Sequence, residues 1–206
     1  KGIYSIEKFL TARRLMYWQV YLHKTSLVAE QLLIRVLKRA NELTNQGVNL
    51  PASNALLYFL KNDVTKESFT DESLEIFSKL DDYDIVSALK EWQYHNDFVL
   101  SNLCDMIINR ELLKIKIKNK KIKGERLNKH IDKLKTVYNI TETEAEYFVF
   151  KGEISNQAYQ RDSQQISILY KTGKVVEVAK ASDYLNLKAL AKPVTKYYIC
   201  FPKAKL

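Results

Sequence analysis

The chain has 206 residues, 46% of them hydrophobic and 28% charged, with a formal net charge of +9. That is enough apolar material for one sizeable core or two small ones, and it excludes a disordered chain. No signal peptide is present, and no apolar run approaches the roughly 20 residues needed to span a bilayer, so the reading is a cytoplasmic protein with no membrane partner.

Five Gly and three Pro leave few breaks, so long helices are expected. Ser5 is a candidate N-cap. Ile6, Phe9, Leu10, Arg13, Tyr17 and Val20 then follow near helical spacing, and the pattern continues to Leu43, where Gly47 and Pro51 end it. The spacing predicts one helix of up to 40 residues, bent near His23–Ser26. Ser53, Thr70, Asp81 or Asp82, and Asp97 each stand before a further apolar-periodic segment, which makes residues 5–110 helical.

The pattern changes near residue 111. LLKIKIKNKKIK alternates apolar residues with Lys, as a strand with one solvated face does. GERLNKHIDKLKTVY returns to helical spacing, and Thr141 with Glu144 forms a capping box for a short helix. YFVF (147–150), ISILY (166–170), VVEVA (175–179) and YYICF (197–201) read as strands, with a hairpin turn at Lys171–Lys174 and a further short helix capped by Ser182. The expected fold class is therefore a mainly α region over 1–110, followed by a smaller α+β domain over 111–206 with a mostly antiparallel sheet.

Charge is polarised along the chain. Residues 111–135 carry ten Lys/Arg against three Asp/Glu, a balance of +7, and residues 63–97 carry ten Asp/Glu against three Lys, a balance of −7. Such a chain can pair its own segments or pair with a second copy as a homo-oligomer weakened by salt. The basic stretch 114–135 could instead be a phosphate-binding ridge for nucleic acid, or a protein-binding surface. It contains no aromatic for base stacking up to Lys135, and a Lys-blunted edge strand is the alternative.

Self-contained catalysis lacks its equipment. His23, His95 and His130 are far apart and form no HExxH, HxH or HD pair. No GxSxG and no Gly-rich phosphate loop is present. Cys104 and Cys200 have no CxxC spacing and read as buried free thiols. No metal ligands and no catalytic residue are therefore assigned.

RRLMYWQVYLHKT (13–25) is the unusual segment. Arg13, Tyr17 and Tyr21 recur at steps of four on one helix face, a cation and two rings that suit a phosphorylated, flat ligand. His23 and Lys24 fall on another face and suit a second site or a subunit contact. The alternative is a packing helix whose cations pair with the acidic middle segment.

The same stretch, FLTARRLMYWQVYLHKT (9–25) with its Y-x-x-x-Y-x-H-K pattern, resembles the HD-domain phosphohydrolases, in the deoxynucleoside triphosphate triphosphohydrolase-like branch. LDDYDIVSALKEW (80–92) and INREL (108–112) add to the likeness, which covers most of residues 1–115 and fades through the C-terminal sheet. The resemblance implies that the chain is the C-terminal portion of a metal-dependent enzyme acting on nucleotides such as dNTPs, its H…HD…D ligands for a divalent metal lying upstream of Lys1. It implies that Arg13 contacts the triphosphate and Tyr21 the deoxyribose, with Tyr17 between them. His23 and Lys24 would lie near a second nucleotide site between subunits. Regulated members are more basic where this chain has Met16, Trp18 and Val20.

Overall fold

A computed structural model of the chain describes residues 2–156, 166–182 and 193–203. Among the described residues six α-helices precede the first strand: α1 (Gly2–Met16), α2 (Lys24–Asn45), α3 (Asn54–Lys61), α4 (Asp71–Phe77), α5 (Asp82–Trp92) and α6 (Phe98–Ile108); α7 (Gly124–Tyr138) and α8 (Glu142–Phe148) follow that strand. The strands are β1 (Lys114–Lys118), β2 (Phe150–Asn156), β3 (Ser167–Leu169), β4 (Val175–Glu177) and β5 (Val194–Phe201), with a four-residue α9 (Val178–Ala181) after β4. A mainly α region followed by a small sheet is the fold class the sequence indicates. One sheet has the order β1-β5-β2. The other is the β3/β4 pair, antiparallel in the register Ser167↔Glu177, Ile168↔Val176, Leu169↔Val175.

These elements gather into two compact units. One holds Lys1–Leu27, Ile115–Arg126 and Lys151–Ile199, and the other Val28–Lys114, Leu127–Phe150 and Cys200–Leu206.

The second of these units is mostly helical. Along α2, Leu32, Val36, Ala40 and Leu43 are buried at helical spacing, so one stripe of the helix faces the core. The caps expected from the sequence are present. Ser53, Thr70, Asp81, Asp97 and Thr141 each accept a backbone N–H of the following turn, and Asp81 and Thr141 form full capping boxes with Asp84 and Glu144. Gly47 ends α2 at φ 85°, where Val48 N–H returns to the Leu43 carbonyl. Within this unit α5 packs on α6 and α6 on α8. Trp92 is fully buried and donates its indole N–H to the Pro51 carbonyl at 2.9 Å.

Both cysteines lie in this unit, buried as free thiols. Burial pushes each up to about 12, opposed at Cys200 by the nearby Arg35 and reinforced at Cys104 by Asp105. Native protein at pH 8 should therefore leave both unlabelled by a thiol reagent, and unfolding should expose two. Rapid labelling of either in the native state would contradict this burial.

In the other unit α1 packs against α9, and α9 against β3 and β4. The buried Glu7 of α1 accepts the Ser182 hydroxyl, which lies at the far end of α9. At Gly152 of β2 a Cβ would fall 2.5 Å from Cζ of the buried Tyr198 on β5, so this position has room only for glycine.

Several local expectations are corrected. Ser5 lies inside α1 and does not cap it. The long first helix is not continuous: a π-helical turn at Tyr17–Tyr21 and a break at Leu22–His23 separate α1 from α2. Tyr147 and Phe148 belong to α8 and not to a strand, because the Thr141/Glu144 box starts a helix whose last bond is Val149 N–H to the Ala145 carbonyl. The strand in VVEVA stops at Glu177, and Val178 begins α9. The hairpin at Lys171–Lys174 is present, with Gly173 at φ 78°. The helix expected over 183–190 after Ser182 lies outside the described residues.

Candidate functional site

Arg13, near the end of α1, and the two tyrosines of the π turn form one row. The Arg13 Cζ lies 5.8 Å from the centroid of the Tyr17 ring. The Tyr17 and Tyr21 rings are 5.3 Å apart and tilted by 51°. Spacing by four predicts this row. The sequence does not show the wider turn beneath it, in which Leu22 N–H reaches back five residues to the Tyr17 carbonyl at 2.7 Å. One extra residue in a turn swings the following side chains round the axis, and such π turns are frequent at functional sites.

Exposure grades along the row. Arg13 and Tyr17 are half-buried, while Tyr21 is 56% exposed. A guanidinium held over a ring keeps its edge N–H donors for an oxyanion, and an exposed ring beside it can take a flat group or a sugar face. The row can therefore bind a phosphorylated ring. It holds no nucleophile and no general base.

His23 and Lys24 are exposed at the start of α2. His23 has a structural duty there. Its Nδ1 accepts Thr25 N–H at 3.3 Å and its carbonyl accepts Leu27 N–H at 3.0 Å. Among the described residues neither His23 nor Lys24 makes a hydrogen bond, ion pair or ring contact with Arg13, Tyr17 or Tyr21.

The other histidines are also occupied. His95 Nδ1 accepts Asp97 N–H at 3.0 Å, and His130 stacks on Phe201 at 4.1 Å. Among the described residues no three His, Cys, Asp or Glu side chains gather to hold a metal. No described helix is long and apolar enough to cross a membrane.

Two constellations escape a reading of the sequence. Beside the row, Lys196 of β5 places its Nζ 4.2 Å from the Trp18 ring centroid, a pairing 178 positions apart with no spacing signal. In the helical unit, Arg39 of α2 grips Asp97 through Nε and Nη2 and also reaches Glu42, with Tyr147 5.9 Å away. Burial first, and the Glu42 carboxylate after it, push the Tyr147 phenol up. Arg39–Asp97 is an ion pair that joins α2 to the acidic segment 63–97 within this unit.

No family model matches the chain. It is 47% identical to a phosphohydrolase of Bacteroides thetaiotaomicron known from its crystal structure, with a TM-score of 0.90 over 98% of this chain and 51% of that one. It is also 25% identical to the Bacillus subtilis protein YwfO, over 98% of this chain and 46% of that protein. The chain thus spans about half the length of the relatives it matches, and it is similar to part of a phosphohydrolase.

Proposed function

We propose that this chain supplies the substrate wall of a metal-dependent phosphohydrolase of the HD superfamily, in the branch that acts on nucleotides such as dNTPs. The observation that carries the reading is the Arg13–Tyr17–Tyr21 row, a cation and two rings assembled on a π turn. The similarity of this chain to half of a phosphohydrolase supports it. In the enzyme so assembled Arg13 binds the phosphates, Tyr21 meets the sugar, and Tyr17 holds Arg13 in place. A divalent metal, held by residues outside this chain, would supply an activated water.

The exposure of α1 fits a half-enzyme. Tyr4, Phe9, Leu15 and Met16, with Val20 of the π turn, are all exposed apolar side chains, a face that the rest of such an enzyme would cover. His23 and Lys24, exposed just beyond, are proposed as a second nucleotide site or a contact between subunits of a homo-oligomer.

The test is phosphate release by the full-length enzyme from dNTPs, NTPs and nucleoside monophosphates, with and without Mn²⁺, Mg²⁺ or Co²⁺. Metal-dependent release of inorganic triphosphate from dNTPs is the expected result. Arg13→Ala should then lower kcat/KM at least about a hundredfold while leaving the circular dichroism unchanged. Normal turnover by that variant would show that Arg13 does not hold the phosphates, and no turnover of any nucleotide would remove the enzymatic reading.

A further inference from the structure

The lysine-rich segment after β1 folds into a concave surface. A cavity of about 540 Å³ is lined by Lys118, Lys120, Lys121, Lys123 and Arg126, with Ile122 among them. A second cavity of about 270 Å³ adjoins it through Lys121 and Ile122, and is completed by Lys151 and Gly152 of β2 and Tyr197 of β5. Together they present six Lys/Arg against two carboxylates, Glu125 and Glu153. Among the described residues none of these six cations makes a salt bridge.

We propose that this surface binds single-stranded nucleic acid. Six cations spread over two adjoining cavities exceed what a single phosphate group would neutralise, and they suit a chain of phosphates that displaces its counterions as it docks. The stretch 114–135 contains no Phe, Tyr or Trp, the one element a single-strand groove needs beyond charge. The fold supplies it from a distance: β5 places the half-buried Tyr197 beside Lys121 and Ile122. Lys151, Gly152 and Glu153 of β2 line the same cavity as that ring. Positive charge with a ring among it binds bases through their faces, with no preference for sequence. None of Arg13, Tyr17 and Tyr21 lines either cavity, so the inference stands apart from the proposed substrate wall.

The experiment is fluorescence anisotropy of a labelled twelve-residue oligothymidylate, titrated with this chain carrying Arg13→Ala so that the row contributes nothing. Binding at about 50 mM salt that falls steeply by about 200 mM is expected. Lys121→Glu with Lys123→Glu should weaken it at least about tenfold and flatten the logarithmic salt slope by about 0.7 for each phosphate no longer neutralised. Tyr197→Ala should weaken it roughly tenfold, and Tyr197→Phe, which keeps the ring and guards against a folding defect, should bind as the parent does. No binding at low salt, or lysine variants that bind normally, would overturn the proposal. Displacement of the oligonucleotide by free ATP at equal phosphate concentration would also overturn it, by making a mononucleotide the ligand.

Discussion

Asp97→Ala is expected to cost the helical unit about 3 kcal/mol, because one carboxylate holds two elements there. Its Oδ1 accepts Leu100 N–H at 2.8 Å, which caps α6, and the Arg39 Nε at 3.1 Å. Its Oδ2 accepts Arg39 Nη2 at 2.6 Å. The side chains of Arg39 and Asp97 are only 15% and 14% exposed. Removing the carboxylate therefore leaves the helix end open and a partly buried guanidinium with Glu42 alone. Asp97→Asn keeps the cap and loses the charge, and should cost less. Urea unfolding of the three proteins at neutral pH measures both, and a loss below about 1 kcal/mol for Asp97→Ala would show the pair to be ornamental.

The same pair has a pH signature. Burial works to raise the Asp97 carboxyl, but the Arg39 hydrogen bond and charge and the Leu100 N–H together hold it below its ordinary 3.8. A carboxylate whose folded value is depressed contributes stability that is fully present above 3.8 and is lost as the pH falls through the folded value. Acidification from neutral to below that value should therefore erode the stability of the native protein more than that of Asp97→Asn. Parallel losses in both would place the acid sensitivity elsewhere.

Trp92→Ala should be at least as damaging, at about 4 kcal/mol. The indole is fully buried at the end of α5, among the largest enclosed side chains of the protein. Its removal leaves a void, and it also strips the Pro51 carbonyl of its donor at 2.9 Å. Trp92→Phe fills most of the space without the N–H and should lose about 1–2 kcal/mol. Chemical unfolding followed by circular dichroism gives both values. Near-equal losses in the two variants would mean that the hydrogen bond, and not the volume, carries the effect.

Sequence by itself determined the short-range features of this protein. Caps at Ser53, Thr70, Asp81, Asp97 and Thr141, the αL stop at Gly47 and the turn at Gly173 depend on groups within about four residues of one another, so their chemistry is legible in order along the chain. The Arg13–Tyr17–Tyr21 row belongs with them, since a helix repeats on the same scale.

Tertiary structure alone decided what meets across long separations. Nothing near Arg39 announces Asp97, nothing near Trp18 announces Lys196, and nothing in the lysine run announces Tyr197. The two compact units are likewise each assembled from three separate segments of chain. Burial and sheet pairing choose these partners, and both depend on how apolar faces close over one another, which no local spacing encodes.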